Sequence, residues 1–189
     1  FFHSKKKIES VEDLKGIKAR CMGDAGEILK RMGMATVIIP GGELYEAMKR
    51  GTIDAFEYST LASNWNMHFN EVAEYVYLSP VRAPSDPQVF FVNKDAWNEL
   101  PDDLKLLVRT FIDRYTQAQQ EYLVYESILA LEKFKNAGNK VLKVPDEVNK
   151  ALAAEAAKFY EEKIASEPPI FGEIYNSMKA YGEAYDSMK

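Results

Sequence analysis

The chain has 189 residues, 47% hydrophobic and 28% charged, enough to bury a core as one or two domains. A net charge of -5 and a pI near 5.2, with no basic stripe, argue against a nucleic-acid-binding surface. The lone cysteine, Cys21, rules out an internal disulfide, and no apolar run approaches the about 18 residues that a membrane span needs.

Lys5-Lys6-Lys7 reads as a solvated terminal stretch. Phe1-Phe2-His3 is too short for the apolar core of an export signal, so any such signal is expected to have been removed. Ser10-Val11-Glu12-Asp13 resembles a capping box ahead of a short helix, with Asp where Glu is usual. Ile17 to Met22 is strand-like, and Glu27 to Met32 is helical and stops at Gly33, a suitable left-handed terminator. Thr36-Val37-Ile38-Ile39 is a β-branched strand ended by Pro40-Gly41-Gly42. Glu43 to Arg50 predicts a second helix with Leu44, Ala47 and Met48 on one face, and Ile53 to Tyr58 a further strand. This alternation is the pattern of parallel βαβ units.

An aromatic stretch, Asn64 to Phe69, precedes two more β-like runs, Tyr75 to Leu78 and Gln88 to Val92. The three prolines of Ser79 to Pro87 forbid regular structure between them, which suits a crossover or hinge. Pro101 starts a helix that continues to about Asn136 with an apolar stripe through Leu104, Leu107, Val108, Phe111, Ile112 and Tyr115. At 1.5 Å per residue it measures about 50 Å, long enough to span two lobes. Lys140 to Val144 is a short strand, and a helix runs from Pro145 to about Ala165 before Pro168-Pro169 breaks it. Ile170, Ile174, Met178, Tyr181 and Tyr185 stripe a terminal helix that packs either on its own lobe or on a second subunit.

Arg20 and Glu57 carry the chemistry. Each follows a β-type run, and in open α/β sheets ligands bind at the carboxyl ends of strands. A guanidinium there offers a planar fork to a carboxylate, and a carboxylate there takes a cation or a substrate hydroxyl. Together they point to a small organic anion, although the same two residues could instead pair and tie two strand ends together. Gly23-Asp24-Ala25-Gly26 opens a helix and lacks the tail of a phosphate loop, so its amides are expected to reinforce Arg20. Arg82, between prolines, is a hinge ion-pair partner or a second anion contact. Tyr58, Phe90 and Phe91 are core or pocket residues, with Phe91 expected in the core of a central strand. His68 reads as structural or exposed, His3 as terminal without an inferable partner, and Cys21 as a small buried hydrophobe. Trp65 and Trp97 read as packing residues, with Trp65 close enough to the Glu57 loop to face a ligand. No nucleophile-base constellation exists, and two histidines cannot form a zinc site alone, so no enzyme is expected.

The order Leu14-Lys-Gly-Ile-Lys-Ala-Arg20, then Gly41-Gly-Glu-Leu-Tyr45-Glu-Ala-Met-Lys-Arg-Gly51-Thr-Ile-Asp-Ala-Phe-Glu57-Tyr58, then Phe90-Phe-Val-Asn93 and Glu99-Leu-Pro-Asp-Asp-Leu104, resembles the solute-binding proteins of TRAP transporters (the DctP type). The resemblance runs over essentially the whole chain. It implies a periplasmic-binding-protein-like two-lobed α/β fold, present in part, with a parallel or mixed sheet, a long lobe-spanning helix and C-terminal helices. Residues 1–8 would end lobe I, 9–86 form lobe II, and 87–189 supply a crossover strand, the spanning helix and a return to lobe I. Family members run much longer at the N-terminus, so most of the first lobe is expected to be missing.

The resemblance also implies a periplasmic or extracytoplasmic receptor that hands a small organic acid to TRAP membrane subunits. A homodimer through the C-terminal helix is a further expectation, and a ligand-sensing domain or an enzyme on a related scaffold are the alternatives. Arg20 matches the arginine that grips the ligand carboxylate, and Glu57 the acidic strand-end position. Tyr58 stands where 2-oxo-acid binders carry Trp and would wall the pocket, with Arg82 and Phe90 as further ligand contacts. In the 2-oxo-acid branch Glu57 would help hold a sodium or calcium ion that bridges to the substrate. Ala83 stands where that branch has a second carboxylate, and Asp86 is the nearest substitute.

Overall fold

A computed structural model describes residues 2–79 and 89–188. Six short strands form one mixed sheet: β1 (Phe2–Ser4), β2 (Lys18–Arg20), β3 (Ala35–Val37), β4 (Ala55–Phe56), β5 (Tyr75–Leu78) and β6 (Lys140–Lys143), in the order β3-β2-β4-β1-β5-β6. β2 lies parallel to both β3 and β4, and β5 parallel to β6. β1 runs antiparallel between β4 and β5, joining the two parallel groups.

The two-residue period of a strand divides the core between the faces of this sheet. Phe2, Ala19, Ala55, Tyr75 and Tyr77 point to one side, with Ile28, Leu29 and Met32 of α1 (Gly23–Arg31). Leu152, Ala156 and Phe159 of α6 (Asp146–Ser166) pack against that same cluster. Phe56 points to the other side, with Leu44 and Met48 of α2 (Leu44–Lys49) and with Phe69. Arg20, next to Ala19 in β2, is thereby turned away from the α1–α6 face. Gly33 ends α1 at φ +99, a conformation that other residues rarely take, and a Cβ there would lie 2.9 Å from the Lys15 side chain. Before the first 3₁₀ turn, the Asp13 carboxylate accepts hydrogen bonds from the Glu9 and Ser10 amides, the return half of a capping arrangement.

Three elements escaped the sequence reading: β1, α3 (Leu61–Asn66) and α4 (Lys94–Glu99). The last two are short helices recognisable by their caps. Thr60 Oγ1 accepts from the Ser63 amide, and Asn93 Oδ1 accepts from the amides of Asp95 and Ala96.

The expected strand at 88–92 is not formed over its described residues, Val89 to Val92, and Phe91 is 91% exposed rather than core. No strand lies beside this segment among the described residues, and a strand without a ladder partner leaves its amides and carbonyls to water. The segment from Pro80 to Gln88, with Arg82, Ala83 and Asp86, lies outside the described residues. β6 pairs with β5, and α6 covers the same core as residues 2–78.

The long helix α5 (Asp102–Asn136) keeps the length read from the sequence, with only Ala130 and Phe134 buried. Near its C-terminal end Phe134 meets Trp65 of α3 edge-on at 5.3 Å, so Trp65 is a packing residue. Leu104, Leu107 and Phe111 of the expected stripe are exposed. α7 (Pro169–Asp186) starts with proline in its first turn and also leaves its stripe exposed. Among the described residues no helix is long and apolar enough to cross a membrane.

Candidate functional site

The parallel pairing of β2 with β4 sets Arg20 beside Phe56, so the next residue of that strand, Glu57, meets the arginine at the strand ends. The Glu57 amide donates to the Arg20 carbonyl at 3.1 Å, extending the ladder by one bond. Arg20 Nη1 then donates to the Glu57 carbonyl at 2.6 Å and to Glu57 Oε1 at 3.1 Å. Arg20 Nε donates to the Ile39 carbonyl at 3.0 Å, tying in the end of the neighbouring β3 segment. The amide of Met22, which caps α1, donates to Glu57 Oε1 at 2.9 Å. Both side chains of this pair are buried, 7% and 6% exposed.

The arginine is therefore held, and its donors can be counted. A guanidinium has five N–H groups, and three are committed to Ile39 and Glu57. The two on Nη2 take no partner among the described residues. Both N–H groups of Nη1 are thus taken by Glu57, which closes off a fork through both terminal nitrogens. The ion pair between the two strand ends, one of the two expected arrangements, is formed.

Tyr58 supplies an aromatic wall. Its ring centroid lies 5.9 Å from the Arg20 guanidinium carbon and meets Phe69 edge-on at 5.7 Å, and the residue is 37% exposed. Gly41 lies against that ring, and a Cβ there would come 2.4 Å from Tyr58 Cε2. Phe90 is elsewhere: its ring is edge-on to Tyr115 of α5 at 6.3 Å, with no ring contact to Tyr58 or Arg20 among the described residues. Arg82 lies outside the described residues.

Sequence reasoning missed the Ile39 carbonyl, the Met22 amide and Gly41. Two are backbone groups with no residue-type signal, and Gly41 reads only as a strand terminator until Tyr58 is placed. It also missed His3, expected to be a terminal residue without partners. His3 is fully buried in β1, stacked on Phe56 at 4.9 Å, with Nε2 2.9 Å from Asn64 Nδ2. Burial pushes its imidazolium pKa down to about 3. His68 is exposed at φ 57, and Cys21 is buried as a free thiol.

For a cation, the donor set decides. Hard cations take six or more oxygen ligands, and Glu57 Oε1 is already shared between Arg20 and Met22. No group of three or more candidate ligands exists among the described residues. A sodium or calcium ion held at Glu57 would take its other ligands from backbone carbonyls, water or the substrate.

The chain thus has a mixed α/β sheet with a buried arginine–glutamate pair at its strand ends and an aromatic ring beside it. The sequence matches the family described as bacterial extracellular solute-binding protein, family 7 (DctP), over residues 1–167, and the chain belongs to that family. It is 30% identical over 185 residues to a monocarboxylate 2-oxoacid-binding periplasmic protein of a Nostoc species, covering 94% of this chain and 48% of that protein. Among solved structures it is similar to a TRAP periplasmic solute-binding protein of Colwellia psychrerythraea with bound calcium and pyruvate. The TM-score is 0.85 and the identity 29%, over 99% of this chain and 57% of that one. A second, from Pseudoalteromonas atlantica with bound sodium and pyruvate, gives 0.78 and 26% over 99% and 57%. The chain spans about half the length of the curated relatives it matches.

Proposed function

We propose that the protein is an extracytoplasmic receptor of a TRAP-type uptake system, binding a small organic carboxylate and presenting it to the membrane permease subunits. The observation that carries this reading is the buried Arg20–Glu57 pair, which holds Arg20 beside the Tyr58 ring while Nη2 takes no partner among the described residues. The pair fixes the guanidinium before ligand arrives, so little ordering is left to be done on binding. Nη2 donates to the ligand carboxylate, and Tyr58 favours a compact, partly apolar acid over a polyhydroxylated one. A 2-oxo monocarboxylate such as pyruvate fits that description, in keeping with what the Nostoc and Colwellia relatives are named or shown to bind. Exclusion of water as the site closes strengthens the ion pair, since a charge pair gains from a lower local dielectric. The periplasm is the compartment this role requires.

Calorimetry on the intact protein with mono-, di- and 2-oxo-carboxylates tests it. Arg20→Ala is expected to weaken binding of the preferred acid at least about tenfold, equivalent to ~1.4 kcal/mol. Arg20→Lys, which keeps the charge and loses the planar Nη2 donors, is expected to be impaired as well. Unchanged affinity in either folded variant would remove Arg20 from the site, and no binding across the panel would reject the receptor reading. Repeating the titration with sodium and calcium tests the cation, whose other ligands would be backbone carbonyls, water or the bound carboxylate.

A further inference from the structure

The first turn of α1 carries an acid where the proposed ligand is an anion. Asp24 is the second residue of that helix, two along from Met22, whose amide reaches Glu57. A carboxylate at a helix N-terminus stabilises the helix and also competes for the positive end that an incoming anion would use.

The charge is answered from far along the chain. Lys163 of α6 donates through Nζ to both Asp24 oxygens, at 2.7 and 2.8 Å. Its ammonium is 5.6 Å from the Phe159 ring centroid and 5.4 Å from that of Phe171 at the start of α7. The hydrogen bond with Asp24 raises the Lys163 pKa and keeps it charged. At the other end of α1, Arg31 bonds Glu162 at 2.8 Å and lies over Phe159 at 5.0 Å. α6 therefore grips α1 at both ends, and the grip on the first turn is a charge neutralisation.

We propose that Lys163 is a positioning residue for the anion: by pairing with Asp24 it cancels the negative charge on the first turn of α1, two residues along from the Met22 amide that bonds Glu57. The inference rests on the carboxylate-receptor reading and extends it to a residue that does not touch the ligand. It also makes the packing of α6 and α7 part of the affinity.

The test uses pyruvate as the probe, with calorimetry at low and moderate salt and melting temperatures for every variant. Lys163→Met is expected to weaken binding about three- to tenfold, and the deficit is expected to shrink as salt screens the half-buried Asp24. Lys163→Arg keeps the charge and is expected to bind like the wild type. The double variant Asp24→Asn, Lys163→Met is expected to recover affinity to within about twofold, although the latch is still broken. Recovery would establish the electrostatic role, because a purely structural clamp would leave the double variant as weak as the single one. Wild-type affinity in a folded Lys163→Met, or a double variant that stays weak, would overturn the inference. If Lys163→Met does not fold, Asp24→Asn alone decides: equal or tighter binding supports the proposal, and a tenfold loss overturns it. Wild-type protein that ignores pyruvate would instead sink the 2-oxo-acid reading and this inference with it.

Discussion

The sheet region and the helical region of this chain use similar apolar content to different ends. In the sheet, Ala19, Leu44, Met48, Ile53, Phe56 and Val76 are all sealed from water. Along α5, Leu106, Leu107 and Phe111 are each more than 60% exposed, and the α7 residues Met178 and Tyr181 more than 65%. The lesson is that periodicity reports which face of an element is apolar and does not report what covers it. The C-terminal part of α5 packs on α3 and β6. Trp65 of α3 and the buried Phe134 of α5 are the main ring contact, with His3 also 5.6 Å from Phe134.

Truncation of core aromatics should separate the regions most sharply. Phe56→Ala is expected to cost about 3–5 kcal/mol, because the ring is enclosed by His3 and Phe69 and its removal leaves a cavity. Phe111→Ala should change stability by less than about 0.5 kcal/mol, its ring being in water apart from a stack on Tyr115. Urea denaturation of the two variants measures both. A Phe111 cost approaching that of Phe56 would break the comparison, since α5 would then be packed against a surface outside the described residues.

The same contrast explains what could be read from residues alone. β5 was placed at its two ends by the Tyr75-Val76-Tyr77-Leu78 run, and α5 by Pro101 and its length. Arg20 and Glu57 were legible as strand-end residues because each closes a β-type run. Their mutual pairing was visible only as an alternative, since it depends on β2 and β4 being neighbours in the sheet. β1 was not legible: three residues at the start of a chain carry no periodicity, and its pairing with β4 and β5 is long-range. Val89 to Val92 misled for the opposite reason, having strand composition without a strand to pair with among the described residues.

His3 gives the sheet region a pH signature. Its folded-state pKa of about 3 lies below the ordinary value of 6.5, so between those limits the unfolded chain binds more protons than the native one. Stability from this residue is complete above about pH 6.5 and is lost as pH falls toward 3, by up to about 1.4 kcal/mol per unit. Stability curves between pH 6.5 and 5, above the range where ordinary carboxylates titrate, are expected to slope in the wild type and flatten in His3→Phe. Parallel curves would mean that the imidazole reaches water and that the junction with Phe134 is looser than its contacts imply.

The smallest effect lies at the border of the packed region, where the proposed ligand sits. Gly41→Ala puts a methyl group into the Tyr58 ring, but that ring is partly exposed and can swing away. The stability cost is therefore expected to stay below about 1 kcal/mol, unlike an overpacked core. Affinity for the preferred acid should fall about threefold, under ~1 kcal/mol, because the displaced ring no longer walls the side of Arg20. In a Tyr58→Ala background the same substitution should have no effect on binding, since the ring it displaces is gone. Additive losses in the double variant would mean that Gly41 acts through its own turn, Gly41–Glu43, and the role given to the Tyr58 wall would pass to the backbone beside it.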